Sequence, residues 1–123
     1  MATSNTEPLS PAAQALSDTL KASGHYDRPF GITLTTRVPE AKEHELLEKI
    51  KVAITETRKE KGNIQYDFSR DLKEPVFILS EKWENGPALE NHVKFDYTKE
   101  LLGKIHEIGS ETSLRLTSLI VPS

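Results

Sequence analysis

The chain of 123 residues contains no cysteine. That removes disulfide scaffolds, thiolate metal sites, CxxC redox chemistry and a cysteine nucleophile together, and it is compatible with a cytoplasmic protein. Long apolar runs are also missing. Nothing approaches the roughly 18 consecutive apolar residues of a membrane span, so no membrane partner is expected. Met1 to Ser10 holds neither a basic n-region nor an apolar h-region, and no secretory signal is expected there. Positive charge is not in excess: 16 Lys and Arg stand against 19 Asp and Glu, a net charge of −3. A weakly acidic chain without a basic stripe lacks the attraction on which nucleic-acid binding rests, and no nucleic-acid partner is expected. What is present is the composition of one globular domain with a modest core: 36% hydrophobic, 28% charged, mean hydropathy −0.50.

Residues 1–28 read as an N-terminal arm. Met1 to Pro11 is a polar tail, after which Leu9, Ala12, Ala13, Leu16 and Leu20 recur at helical intervals. Ser10 is the candidate N-cap before Pro11, and Ser23-Gly24 would end the helix. Leu16 and Leu20 are expected to dock on an apolar surface. Residues 29–123 are regular. Phe30 to Val38 alternates as a strand, and Glu40 to Lys61 reads as a long helix with the apolar stripe Leu46, Leu47, Ile50, Ala53, Ile54 and Thr57. The other face of that helix, with six acids and six bases, reads as solvated. Asn63 to Arg70 alternates with Ile64, Tyr66 and Phe68 on one side, and Val76 to Trp83 follows as a strand whose first four residues are all apolar. Asn85 caps a helical stretch that puts Ala88, Leu89, His92 and Val93 on one face. A second stretch through Tyr97, Leu101, Leu102, Ile105 and Ile108 ends at Gly109, and Leu114 to Val121 closes as a strand.

The order βαββαβ predicts an α+β, ferredoxin-like fold: a four-stranded antiparallel sheet with its helices on one face, plus the helical arm. The apolar run Val76 to Leu79 asks for cover on both faces. A second copy packed sheet to sheet, a two-fold homodimer, would supply the missing cover.

Few motifs carry chemistry. His44-Glu-Leu-Leu-Glu48 matches only part of the HExxH zinc helix, because Glu48 stands where the second histidine belongs; no metal site is expected. There is no GxSxG elbow, Walker loop or GxGxxG. Tyr66, Glu81, Trp83 and His92 remain. Phe77, Leu79, Glu81 and Trp83 share one side of their strand by period two. A glutamate in phase with aromatic residues is costly in a core unless it is bonded. His92 lies on the apolar stripe of its helix and should face the sheet, either as a satisfied core residue or as a general base.

Gly62-x-x-x-Tyr66, Pro75-x-Phe77, Glu81-x-Trp83 and Ala88-Leu89-x-x-His92 together closely match the signature of the antibiotic biosynthesis monooxygenase domain. The chain resembles that family over roughly Phe30 to Val121. The resemblance implies a dimeric α/β barrel of ferredoxin-like subunits. For activity it implies a cofactor-independent monooxygenase of the quinol-oxidising kind, taking a small aromatic or quinol-like substrate and dioxygen. His92 would be the catalytic base, Tyr66 and Trp83 would line the ring site, and Glu81 would bond the substrate hydroxyl or serve as a buried structural acceptor. The haem-degrading branch has an asparagine on the first strand; Ile32-Thr33-Leu34-Thr35-Thr36 has none, so haem degradation is not implied. Many quinol-type members carry a second histidine shortly after the first, where this chain has Phe95, Asp96 and Tyr97. Tyr97 and the hydroxyls of Thr33 and Thr35 are then the candidates to complete the substrate site. The alternatives on the same scaffold are a non-catalytic small-molecule-binding or stress-associated barrel and an isomerase of a small oxygenated metabolite.

Overall fold

A computed structural model describes residues 7–120; residues 1–6 of the expected tail and Val121, the expected end of the last strand, lie outside them, and the strand already stops at Ser118. The arm forms helix α1, Pro11–Ala22, with the Ser10 hydroxyl accepting from Ala13 N and proline in the first turn. Strand β1, Phe30–Arg37, leads through a short 3-10 turn into helix α2, Glu43–Thr57. Strands β2, Asn63–Arg70, and β3, Val76–Trp83, form a hairpin. Helix α3, Gly86–His92, and helix α4, Asp96–Ile108, precede strand β4, Ser110–Ser118. The sheet is antiparallel in the order β2-β3-β1-β4, the ferredoxin-like arrangement expected from the element order. No helix among the described residues is long and apolar enough to cross a membrane.

Alternation decides which side chains meet. Leu34, Tyr66, Phe77 and Leu79 point to one face of the sheet and pack against Leu46, Ile50 and Ala53 of α2 and Leu101 and Ile105 of α4. Val76 and Ile78 point to the other face and are half-buried, beside Thr33, Thr35 and Ser80. The strand without alternation in its sequence is therefore covered on its helix side only, within this chain. Leu114 of edge strand β4 pairs with Leu34 yet stays 43% exposed.

Two boundaries and one strand register differ from the sequence pattern. Helix α2 stops at Thr57 rather than Lys61, because the chain turns there: Glu60 N donates to Thr57 O, and Gly62 takes a φ of +89°. A side chain at Gly62 would also put its Cβ 2.5 Å from the Ala88 Cβ, so glycine lets this turn pack against α3. Strand β2 carries a bulge between Asn63 and Gln65, which leaves Ile64 half exposed and out of the core that Tyr66 and Phe68 face. Strand β4 begins at Ser110, earlier than its apolar residues suggest, and pairs there with Arg37 across a register shift.

The arm is docked. Leu20 is buried with Phe30, Ile32, Trp83, Ala88 and Leu89, and Leu16 packs at the edge of that cluster. Glu90 of α3 accepts from Ser17 Oγ at 2.6 Å and from the Tyr26 hydroxyl at 2.9 Å. Burial, then the bond and charge of Glu90, push the Tyr26 phenol up to about 12, which keeps it a donor.

Candidate functional site

Helix α3 is short and sharply started: Asn85 Oδ1 accepts from Ala88 N, and Pro87 sits in the first turn. Its buried face, Ala88, Leu89 and His92, lies over the ends of β2 and β3. His92 is its last residue. The imidazole packs against Trp83 with ring centres 4.6 Å apart and against Tyr66 at 5.7 Å.

Two carboxylates flank the ring. Glu60 places Oε2 2.9 Å and Oε1 3.1 Å from Nδ1. Glu81 Oε1 stands 3.9 Å from Nε2 and accepts the Trp83 indole N–H at 2.8 Å. With a carboxylate on it, Nδ1 carries a proton and donates. All three side chains are more than nine-tenths buried. The Tyr97 hydroxyl donates to Glu60 Oε2 from the outer side. The chain of contacts therefore runs from Trp83 and Glu81 through His92 to Glu60 and Tyr97.

Burial fixes the protonation of several members. Desolvation holds the Glu81 carboxyl above its usual range, against the opposing pull of His92 and the Trp83 N–H. The Tyr66 phenol is pushed up mainly by burial and then by the charges of Glu81 and Glu60. The Tyr97 phenol is raised by burial, then by its bond to Glu60 and that carboxylate's charge. Both phenols therefore act as donors, and neither serves as a base. Thr57 Oγ1, whose hydroxyl tempers the rise at Tyr66, is buried without a hydrogen bond of ordinary geometry.

Outside Glu60 lies a cleft of about 440 Å³ lined by Glu56, Lys59, Glu60, Lys61, Phe95, Asp96 and Tyr97. The Phe95 and Tyr97 rings stack there at 5.2 Å, tilted by 14°. A smaller cleft of about 220 Å³ opens on the other side of Tyr97, between α2 and α4.

Tyr66, Glu81, Trp83 and His92 come together, and Tyr97 joins them through Glu60. Thr33 does not. It alternates with the buried Ile32 and Leu34, pairs with Ser80, and so lies on the opposite face of the sheet with Thr35. Tyr66 and Trp83, 2% and 0% exposed, are packed against His92 and do not border the cleft outside Glu60. Glu60 is the residue that sequence reasoning missed. It was placed on a solvated helix face, yet its side chain is 7% exposed and holds both His92 and Tyr97. The only local signal is its position three residues after Thr57, in phase with the apolar stripe. His44 and Glu48 form an exposed pair at 3.8 Å. Among the described residues no group of three His, Asp or Glu side chains is arranged to hold a metal ion.

The family described as "Antibiotic biosynthesis monooxygenase" matches this sequence over residues 29–102. The arm helix precedes the matched segment. Among solved structures, a conserved protein from Bacteroides thetaiotaomicron, described as a possible oxidoreductase, is similar with a TM-score of 0.69 and 26% identity, over 76% of this chain and 99% of that one. A conserved protein from Methanosarcina mazei is similar with a TM-score of 0.68 and 25% identity, over 76% and 94%. A protein described as an antibiotic biosynthesis monooxygenase shares the fold with a TM-score of 0.69 and 19% identity, over 75% and 99%. No curated protein matches the chain.

Proposed function

The chain belongs to the antibiotic biosynthesis monooxygenase family, and from that premise we propose that it is a cofactor-independent monooxygenase oxidising a small phenolic or quinol-type substrate with dioxygen. One observation supports this reading above the others: the Glu60 carboxylate, held from behind by the His92 Nδ1–H, borders a cleft large enough for a single aromatic ring.

Glu60 accepts the substrate's hydroxyl proton at the cleft, and His92 holds that carboxylate in place. The resulting phenolate transfers an electron to dioxygen. Recombination of the radical pair forms a carbon–oxygen bond at a ring carbon that still bears hydrogen. The hydroperoxide loses water, leaving a quinone: one oxygen atom stays on the ring and the other departs in the water. The substrate supplies all the electrons. In this scheme the protein supplies a positioned base and an aromatic wall that orients the ring.

The test is oxygen uptake by the protein with a panel of hydroquinones and phenols under labelled dioxygen. Substrate-dependent uptake, one labelled atom in the product, and a loss of roughly a hundredfold in both Glu60→Gln and His92→Ala are expected. A second reading, a barrel that binds a small aromatic without turning it over, is favoured by the 3% exposure of His92. Saturable binding with no uptake across the panel would select it.

A further inference from the structure

Tyr97 already makes, within the chain, the contacts that a phenolic ligand in this cleft would make. Its ring lies nearly parallel to Phe95, and its hydroxyl donates to Glu60 Oε2. A neutral phenol entering the cleft needs the same two things, an aromatic face to stack on and a carboxylate to accept its O–H. His92 Nδ1–H holds Glu60 from the core side, and the Tyr97 hydroxyl and ring already stand where the cleft meets that carboxylate. An incoming hydroxyl therefore competes with Tyr97 directly. Tyr97 is only half-buried, and the second cleft beside Lys49 and Val52 gives its ring somewhere to go.

We propose that Tyr97 is the internal occupant of a phenol subsite. The Phe95 face and the Glu60 carboxylate form the recognition slot, and a phenolic ligand binds by displacing the Tyr97 ring toward the second cleft. This rests on the phenolic reading above and adds the ligand's position and its competitor. The slot selects a ring bearing a free hydroxyl over the same ring without one, because the buried carboxylate is left short of a donor by the latter. Tyr97 acts as a latch, keeping Glu60 bonded while the cleft is empty.

The probe is 4-methylphenol, which reproduces the tyrosine side chain, with toluene as the control lacking the hydroxyl. Binding is followed by protein-observed NMR at residues 95–97 in the wild type, Tyr97→Ala and Tyr97→Phe. Thermal melting checks the fold of each variant. Removing the competing hydroxyl should tighten 4-methylphenol by about threefold or more in Tyr97→Phe, and vacating the slot should tighten it by about tenfold or more in Tyr97→Ala. The preference over toluene should be lost in Tyr97→Ala/Glu60→Leu, which has no acceptor at that position. Affinities within about twofold across the folded variants, or equal binding of toluene, would overturn the proposal. Because the readout is binding without oxygen, a protein that shows this series yet consumes no oxygen keeps the subsite and loses only the oxidation reading.

Discussion

Glu60 and His92 are 32 residues apart in sequence, and both oxygens of the Glu60 carboxylate lie within 3.1 Å of the His92 Nδ1. The pair joins the turn after α2 to the end of α3. It links a side chain sealed in the core to one that borders the surface cleft.

Breaking this pair from one side should be costly. His92→Ala leaves the buried Glu60 carboxylate with Tyr97 as its remaining donor and opens a void beside Trp83, so a loss of about 3–5 kcal/mol is expected. Glu60→Gln keeps an acceptor for Nδ1–H and should cost less, about 1 kcal/mol. Urea denaturation measures both. Equal, small effects would show that the pair contributes little to the fold.

Stability should depend on pH through Glu81. Burial raises its carboxyl above the unfolded value, so the folded state binds the proton more tightly. Its contribution is complete below the ordinary carboxylate range, near about 4.3, and is lost as pH rises through the raised folded value. Glu81→Gln still accepts from the Trp83 indole but cannot ionise. Its stability relative to the wild type should therefore climb as pH rises from about 4 toward 8. A difference independent of pH, measured by denaturation at each pH, would contradict the raised value.

The arm should behave as part of the domain although it precedes the matched family segment. Leu20 is 2% exposed against Trp83 and Leu89, so Leu20→Ala should cost about 2–5 kcal/mol. Truncation of residues 1–28 also removes the Ser17 and Tyr26 bonds to Glu90 and should lower the melting temperature further. An unchanged melting temperature after truncation would show that the arm contributes nothing to the domain.

The uncovered face of the sheet predicts a homodimer. Val76 and Ile78 lie half-buried there, with no element of this chain packed over them among the described residues. Sedimentation velocity at micromolar concentration should give twice the 13.8 kDa chain mass, and Ile78→Glu should shift it to one. A monomeric wild type would remove the second copy as the cover.

Much of the site was legible because strand and helix periods report which residues share a face. Glu81 and Trp83 in phase on one strand, and His92 on an apolar helical stripe, were sufficient to bring those three together. The same rule separates Thr33 from them, since it is out of phase with Ile32 and Leu34 and its hydroxyl points across the sheet. Glu60 was hidden for a different reason. Its neighbours are charged and its helix reads as solvated, but the helix ends early and the turn carries Glu60 inward.

The sequence by itself determined the element order, the capped start of α3, the face that Phe77, Leu79, Glu81 and Trp83 share and the family, because these follow from local periodicity and fixed spacing. The tertiary structure alone decided that His92 reaches the cleft only through Glu60, that Tyr97 bonds the same carboxylate at Oε2, and that the arm seals the Trp83 end of the core. Those relationships join residues 32, 37 and more than 60 positions apart. Local patterns cannot encode which distant groups meet; the packing of α2, α3 and the arm around one buried imidazole does.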